Sequence, residues 1–410
     1  MPQWYRRTGR VSAVILAAIT LARPPRAAGD EQRGPAADSP RERELLSAAG
    51  DGFALLRSEH FLLACDTPAP LARSTLERLE ATHADVERFC ERLALPIRRP
   101  QARLEAILFA RPEGFQAYAE RLRYDHRGSL GFYHAATNRS AFLDSAADPG
   151  LAPARQRLAG LESEYEAYRA ALRRAGPPKQ TVEVQTESGG RREMPRTEAL
   201  ARIGKLRAEA NQLARDIREY TQQANQMVIQ HEGSHQVLFN MDLHRREGGN
   251  PQWLMEGLAC LFEPPPVSGP AGLAGVNQFR LYDLRRLLEL PAGAAAISEE
   301  QIRRAVAEGA LLPLQQLISD PAVFECREQG VWPAYAEAWA VAHYLYTQRP
   351  TELARYIGRV RDRQEDRRPD PPDELEDFVA VFGPADEKLF AQILEPVLRL
   401  PAPQARAELK

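Results

Sequence analysis

The sequence predicts an α+β protein with a small N-terminal α/β part, a helical hairpin insertion and a helical C-terminal part. Short apolar runs with the period of strands are interspersed with amphipathic helical segments in residues 58–150. Apolar residues with heptad spacing dominate residues 151–222. Helical spacing returns in residues 273–400, after a segment, residues 223–263, that carries the motifs with chemical meaning.

The charge balance excludes one large class of partners. The chain has 410 residues, enough for two or three domains of about 150 residues each. Its 54 Lys and Arg residues are offset by 56 Asp and Glu residues, which gives a formal net charge of −2. A polybasic nucleic-acid binder would carry a strong positive excess. We therefore expect no nucleic-acid partner, and the sequence does not set the oligomeric state.

The N-terminus has the pattern of an export signal. Arg6, Arg7 and Arg10 precede the apolar run 11–22, and Pro and small residues follow it. A basic region, a short apolar core and a small-residue segment describe a secretory signal, although a clean cleavage site is missing. The apolar run is short for a membrane span of about 20 residues. We expect an exported protein (periplasmic, cell envelope or secreted) in which residues 1–28 are a signal peptide or an N-terminal membrane anchor.

Residues 29–57 are rich in Gly, Pro and charged residues and are predicted to be a flexible linker. The α+β part follows in residues 58–150. Its predicted strands are 60–65, 103–109 and a hairpin of 131–134 with 140–144, and its predicted helices are 71–93 and 112–122.

The second strand of that hairpin, residues 140–144, is predicted to be an edge strand with which an extended substrate can pair. Tyr133 and His134 lie beside it in the sequence. They are candidates for the wall of a cleft, with core or surface positions as the alternative.

Two apolar stripes at alternating steps of three and four residues predict an antiparallel coiled-coil hairpin in residues 151–222. The first stripe runs from Ala154 to Leu172 and the second from Ile203 to Met227. Residues 176–195 between them contain Gly and Pro and are predicted to be an irregular, mobile connection. The hairpin is either a spacer or an arm that binds a partner.

The C-terminal part, residues 273–400, is predicted to be helical, with helices at 278–290, 298–308, 335–348, 352–363 and 374–382. The four cysteines are far apart and form no CxxC pair. They are either buried free thiols or members of disulfides in an oxidising compartment.

His231-Glu232-Gly233-Ser234-His235 is an H-E-x-x-H sequence, and its surroundings are helical. Positions i and i+4 share one face of a helix, so both imidazoles can bind one metal ion. Glu232 projects beside them, where a carboxylate can take a proton from water activated by the metal. A His pair in a core or on a surface is the alternative interpretation.

A second segment supplies a third ligand. Asn250 and Pro251 predict the start of a helix that contains Glu256, 21 positions after His235. A helix, a tight turn at 248–249 and a second helix can return this carboxylate to the two histidines. Two His and one Glu, with a fourth position open for water, form the catalytic zinc arrangement of thermolysin-type enzymes.

The segments HEGSHQ and PQWLMEGLACLFE resemble the gluzincins, and in particular the peptidase-MA-like domains of exported bacterial proteins. Many of these belong to a domain family of undefined function that is common in planctomycete-type bacteria. Weaker similarity covers SEHFLLACD, LEAILF, GFYHAATNRSAFLDS and YAEAWAVAHYLY, so the resemblance extends over residues 58–365, with the coiled-coil insertion as an interruption.

The resemblance implies a zincin-like fold and hydrolysis of peptide bonds with one Zn²⁺ ion. It implies His231, His235 and Glu256 as ligands and Glu232 as the general base. One departure concerns Cys260, which stands where thermolysin-like enzymes have an Asp that orients a ligand His. The long insertion before the metal motif is a second departure.

A zinc peptidase also needs a hydrogen-bond donor for the oxyanion of the tetrahedral intermediate. Tyr335, Trp339 and His343 follow one another at four-residue steps along one predicted helical face. Tyr335 and His343 are therefore the candidates, and a packing stripe is the alternative.

Two functions remain open at this stage. The first is an exported zinc metallopeptidase that acts on a peptide or protein substrate, and the second is a catalytically silent zincin-fold module that binds partners at the cell envelope through the coiled-coil arm. The retention of Glu232 together with all three ligands favours the enzyme.

Overall fold

The structure is a computed structural model that describes residues 39–401, except for 126–128, 177–179, 186–189, 247–248, 265–274, 291–296, 326–331 and 363–370. The chain divides into two compact units, and among the described residues 144–225 form the first while 39–143 and 226–401 form the second. Helices predominate and the sheets are small, so the protein is mixed α+β. The predicted signal or anchor, residues 1–28, lies outside the described residues.

The second unit begins with a five-stranded sheet in the order β1-β2-β3-β5-β4. The central strands β2, β3 and β5 are parallel, and the outer strands β1 and β4 are antiparallel to their neighbours. Every residue of the three central strands is buried, as expected for a parallel core covered on both faces. The elements of this part are α1 (Pro40–Ala49), β1 (Ala54–Arg57), β2 (Phe61–Cys65), α2 (Ala69–Arg92), β3 (Leu104–Phe109), α3 (Pro112–Arg121), β4 (Gly131–His134) and β5 (Arg139–Leu143).

The strand predicted at 140–144 is present as β5, but the prediction that it forms the edge of the sheet is wrong. β5 lies between β3 and β4 and pairs with both. All five of its residues are buried, whereas two of the four residues of β4 are only half-buried. Since a strand covered on both faces belongs inside a sheet, the burial of β5 agrees with its position, and β4 is the edge.

The predicted flexible linker, residues 29–57, contains α1 and β1 in its described part, so the prediction is wrong for residues 39–57, while residues 29–38 lie outside the described residues. Ser39 caps α1, because its hydroxyl accepts from the Glu42 N–H at 3.2 Å while Glu42 accepts from the Ser39 N–H at 3.1 Å. Arg57 of β1 then donates to both oxygens of Glu42, at 2.7 and 3.0 Å. The pattern Ser-Pro-Arg-Glu is a capping box with Pro at the first helical position, a signal that the high charge of this segment obscured.

Helices make up the rest of the second unit. The last turns of α5 (Arg196–Asn240) lead into it, and α6–α13 follow. Helix α10 lies at the centre and packs against α6, α7 and α13. The bounds of these helices are α6 (Gln252–Phe262), α7 (Gln278–Leu287), α8 (Glu299–Ala307), α9 (Leu314–Ser319), α10 (Trp332–Gln348), α11 (Pro350–Arg361), α12 (Pro371–Phe382) and α13 (Glu387–Leu398).

Helices α6 and α10 approach each other closely at Gly257. A Cβ atom on Gly257 would lie 2.7 Å from the Ala338 carbonyl oxygen and 3.1 Å from the Ala342 Cβ. Glycine at this position and alanines on the facing helix therefore allow backbone-to-backbone packing that a larger side chain would prevent.

Glu337 of α10 has a carboxyl group that is fully buried in the helical core. This group makes the free energy of unfolding depend on pH. One of its oxygens accepts from the Leu312 N–H at 3.1 Å, and the other has no hydrogen-bond partner among the described residues. Burial raises the pKa of Glu337 well above its usual value. Above about pH 4.5 the unfolded chain loses this proton while the folded chain keeps it, so the free energy of unfolding falls by about 1.4 kcal/mol per pH unit.

We expect Glu337→Gln to remove this pH dependence. Relative to the wild type, the variant should gain roughly 1 kcal/mol of stability for each pH unit between pH 5 and 7. Urea unfolding at pH 5, 6 and 7 measures the gain, with Glu299→Gln on the exposed start of α8 as the matched control. A stability difference that stays constant over this pH range would contradict the prediction.

The first unit is a helical hairpin. α4 (Ala152–Ala175) and the first part of α5 run antiparallel, and Arg202 of α5 donates two hydrogen bonds to Glu164 of α4, both at 2.9 Å. Towards the other end of the hairpin, the Tyr220 hydroxyl donates to Asp148 at 3.0 Å. Leu206 of the predicted second stripe is fully buried.

The connection predicted to be irregular, residues 176–195, instead contains a β-hairpin in its described part. β6 (Thr181–Gln185) pairs antiparallel with β7 (Arg191–Pro195). Val182, Val184 and Met194 from this hairpin pack with Ala171 and Ala199 in a small separate core. The alternating pattern Thr-Val-Glu-Val-Gln indicates a strand. A two-stranded hairpin is stable here because α4 and α5 cover its single apolar face.

Two further findings bear on the sequence predictions. None of the described helices combines the length and the apolar character that a membrane span needs. Cys65, Cys90 and Cys260 are buried free thiols, and Cys326 lies outside the described residues.

Candidate metal centre

The two histidines of the H-E-x-x-H motif face one another on the last turns of α5. Their Nε2 atoms are 3.2 Å apart, and both side chains are largely buried. The i, i+4 spacing places the two rings on one face of the helix, as the sequence predicted. Gly233 between them lets α5 pack closely on α2, since a Cβ there would lie 2.8 Å from the Leu79 Cδ2 atom.

Glu256 reaches the same point from α6. Its Oε2 atom lies 3.2 Å from the His231 Nε2 atom and 3.6 Å from the His235 Nε2 atom. Its Oε1 atom accepts from the Gln252 side chain at 2.9 Å, which fixes the orientation of the carboxylate. The three residues predicted to be metal ligands therefore converge.

The spacing of these three atoms suits a small tetrahedral metal ion. Ligand atoms that each lie about 2.0–2.1 Å from a tetrahedral ion are about 3.3 Å from one another. Two imidazole nitrogens and a carboxylate oxygen are ordinary zinc ligands, and the three atoms here lie at almost that spacing. Burial alone would raise the pKa of Glu256, but the neighbouring His235 and His231 lower it, so the carboxylate stays charged as a ligand must.

A second group, His231, Cys260 and Glu263, also lies within 4.8 Å of one another, but its chemistry differs. Burial raises the pKa of the Cys260 thiol to about 11, so the thiolate that a metal needs is disfavoured. Glu263 is already occupied, because Arg280 donates to its two oxygens at 2.6 and 3.1 Å. This group therefore supports the first one rather than forming another metal site.

Glu263 is a member of the candidate site that the sequence did not predict. Its Oε1 atom lies 2.9 Å from the His231 Nδ1 atom, and Asn277 donates to its other oxygen at 2.5 Å. A carboxylate at this nitrogen holds the Nδ1 proton and leaves Nε2 free to bind a metal. Glu263 thus makes the hydrogen bond that the resemblance to thermolysin-like enzymes assigns to an Asp at position 260.

The ion pair sets the charge of this carboxylate. Although burial by itself would raise the pKa of Glu263, the Arg280 guanidinium and the His231 ring lower it to about 2. The available sequence signal was the seven-residue spacing between Glu256 and Glu263, which places both carboxylates on one side of α6 two turns apart. One contacts the His231 ring at Nε2 and the other at Nδ1.

Glu232 lies beside the edge strand. Its Oε2 atom accepts from the Tyr133 backbone N–H at 2.9 Å, and its side chain is partly exposed. Gly131 allows this approach, because a Cβ there would lie 2.5 Å from Val228 and 3.3 Å from the Glu232 Cγ atom. The carboxylate is therefore held next to the ligands at the border between helix α5 and strand β4.

Of the two predicted oxyanion donors, Tyr335 lies near the ligands. Its ring centre is 6.1 Å from that of His231. The Arg280 guanidinium lies over the Tyr335 ring, 5.2 Å from the ring centre. Burial, with the nearby Glu256 carboxylate, raises the pKa of Tyr335 well above its usual value, so the hydroxyl keeps its proton and can donate it in a hydrogen bond.

His343 lies further along the same helix. Eight residues correspond to about 12 Å of α-helix, so its side chain starts well away from that of Tyr335. Its ring packs at 5.5 Å from that of Trp339, and it lines a small cavity with Thr347 and Pro396. Of the two candidates, the geometry favours Tyr335.

The candidates for the cleft wall, Tyr133 and His134, both lie on β4. The Tyr133 backbone contacts Glu232, whereas the His134 ring is paired with the Thr137 hydroxyl at 3.0 Å.

Fold and site together define a mixed α+β protein with a buried His₂Glu group that is geometrically able to bind a metal ion. Residues 225–365, about a third of the chain, match a family described as "Protein of unknown function (DUF1570)". This stretch contains the three converging ligands, Glu232, Glu263 and Tyr335. No curated protein and no solved structure matches the chain.

Proposed function

We propose that this protein is an exported zinc metallopeptidase of the gluzincin type. The observation that carries the proposal is the triangle of the His231 Nε2, His235 Nε2 and Glu256 Oε2 atoms, with sides of 3.2, 3.2 and 3.6 Å. Glu232 beside this triangle supports a catalytic role over a purely structural one, since a structural zinc site needs no additional base.

The chain's own residues account for the other requirements of peptide hydrolysis. The two histidines and Glu256 would hold a zinc ion, which when bound would supply Lewis acidity for the water and the scissile carbonyl. Glu232 takes a proton from the attacking water and passes it to the leaving amine, while the Tyr133 N–H keeps its carboxylate in position. The Tyr335 hydroxyl donates to the oxyanion that develops on the substrate carbonyl.

The fold is compatible with a zincin. An antiparallel edge strand, β4, borders the helix that carries the metal motif, and a second helix supplies the third ligand. An edge strand has unpaired backbone groups with which an extended peptide can pair, which supports a peptide or protein as the substrate. Export through residues 1–28 is part of the proposal and rests on the sequence pattern alone.

Metal analysis tests the proposal directly. We expect the purified protein to contain about one zinc ion per chain, and His231→Ala to lose it, because a two-ligand site binds zinc far more weakly than a three-ligand site. His134→Ala is the matched control, since this histidine is paired with Thr137 outside the ligand triangle. Wild-type protein without zinc, or His231→Ala with the same zinc content as the wild type, would contradict the proposal.

Activity separates the enzyme from the silent binding module. The enzyme should hydrolyse members of a mixed peptide library, a chelator should abolish the hydrolysis, and added zinc should restore it. A zinc-loaded protein that cleaves no peptide in the library would favour the binding module.

A further inference from the structure

Hydrogen bonds hold the guanidinium group of Arg246 in place next to the edge strand β4. Its Nη1 atom donates to the Tyr133 hydroxyl at 2.6 Å and to the Ala135 carbonyl at 2.9 Å. Its Nη2 atom donates to the side-chain oxygens of Asn138 and Asn240, both at 3.0 Å. Four hydrogen bonds from one side chain fix its position and remove most of the entropy that binding a ligand would otherwise cost.

All four acceptors are neutral oxygen atoms. Among the described residues Arg246 forms no ion pair, although it is an exposed residue. Asp242, the nearest carboxylate in the sequence before it, pairs with Arg361 at 3.5 Å instead. Two buried arginines of this unit, Arg139 and Arg280, each contact a carboxylate instead. Within the part of the chain that the structure describes, Arg246 therefore presents a positive charge that no carboxylate contacts.

Tyr133 connects this charge to the candidate catalytic base. Its backbone N–H donates to Glu232, and its hydroxyl accepts from Arg246. Asn240, which also binds Arg246, lies five residues after His235 on α5, which corresponds to about 7.5 Å along the helix axis. An extended peptide advances about 3.3 Å per residue. The guanidinium is thus within reach of a substrate residue two or three positions from the bond that the site would cleave.

We propose that Arg246 binds a carboxylate of the substrate, so that the protein prefers peptides with an acidic group about two or three residues from the cleaved bond. This inference rests on the proposed function for the position of the cleaved bond. An Asp or Glu side chain and a free C-terminal carboxylate offer the same chemistry to a guanidinium, which binds either with paired hydrogen bonds. The first source describes an endopeptidase with acidic preference and the second a carboxypeptidase.

A peptide panel tests the inference without requiring turnover. The panel consists of N-acetylated hexapeptide amides in which one Glu occupies each position in turn, the same peptides with Gln, and the Gln peptides as free acids. Binding is measured by fluorescence anisotropy on the zinc-loaded Glu232→Gln protein with and without the additional change Arg246→Gln. We expect one Glu position, or the free acid, to bind about fivefold more tightly than its neutral counterpart when Arg246 is present, and the ratio to fall to about one when it is absent.

Two control variants and two further measurements separate the charge of Arg246 from its structural support of the β4–β5 hairpin. Tyr133→Phe removes one hydrogen bond of Arg246 but keeps its charge, so the preference for acidic peptides should persist. Arg99→Gln, at an exposed ion pair with Glu87, should leave that preference unchanged. Thermal unfolding establishes that each variant is folded. High salt should weaken the preference, because an exposed ion pair is screened.

Each outcome decides a separate point. Equal affinity for acidic and neutral peptides at every position, an acid preference that survives Arg246→Gln, or no binding of any panel member overturns the inference. If the acid preference depends on Arg246 but the wild type cleaves none of the panel, the carboxylate site stands and the proposed peptidase function fails. Preference for Glu over Gln indicates side-chain recognition, and preference for the free acid over the amide indicates recognition of a C-terminus.

Discussion

Glu232→Gln is expected to lower kcat by about 10²- to 10⁴-fold while the zinc content stays at the wild-type value. The amide cannot take a proton from water, but its oxygen can still accept from the Tyr133 N–H at the position of Oε2, so the local structure is retained. Steady-state kinetics on a peptide that the wild type cleaves, together with metal analysis of the same preparation, measures both effects.

Glu59→Gln is the matched control for this change, because its side chain is 84% exposed and belongs to another part of the surface. It should leave kcat and zinc content as they are. Turnover by Glu232→Gln at the wild-type rate would remove Glu232 from the mechanism, and loss of zinc would show that the substitution disturbs the ligands instead.

Glu263→Ala is expected to destabilise the metal-free protein by about 3–5 kcal/mol, the usual cost of leaving a buried charge without its partner. The Arg280 side chain is only 9% exposed and donates to both oxygens of Glu263, so little water can replace these acceptors. The His231 ring loses its orienting acceptor at the same time. Zinc affinity should therefore fall by about 10- to 100-fold.

Urea unfolding of the chelator-treated protein measures the stability, and competition with a chelating dye measures the zinc affinity. The double variant Glu263→Met with Arg280→Met separates the two roles of Glu263. Removing both charges should restore much of the stability, because apolar side chains of similar volume can replace a buried ion pair. Zinc affinity should remain low, since the His231 Nδ1 atom still lacks an acceptor. Zinc affinity that recovers together with stability would contradict the positioning role.

Much of the sheet and of the ligand set could be predicted because both depend on short-range patterns. Strands β2 and β3 were predicted to within one residue at each end, as each is a short apolar run bordered by turn residues. The convergence of His231 and His235 follows from helix geometry alone. Glu256 needed only one turn between two helices to return to them.

The contacts that complete the site are long-range and have no local pattern. Tyr133 and Glu232 are 99 residues apart, and the bond between them depends on β4 lying at the edge of the sheet. The sequence of a hairpin does not determine which of its two strands lies at the edge of the sheet. The prediction that β5 is the edge strand is wrong for this reason. Glu263 is 32 residues from His231, and its partner Arg280 comes from a third helix, α7. A charged residue that follows an apolar helix is usually solvated, so the sequence does not predict that Glu263 is buried beside His231.

The packing of α6 against α10 at Gly257 restricts how this chain can change over evolution. The next residue before Gly257 is the ligand Glu256, and three residues before Ala338 on α10 stands Tyr335. Any enlargement of position 257 would push apart the two helices that carry these side chains, at a cost of about 1–3 kcal/mol for the overpacking alone. Substitution at position 257 is therefore restricted to glycine unless the two helices move, whereas residues on the outer faces of both helices can vary without displacing Glu256 or Tyr335.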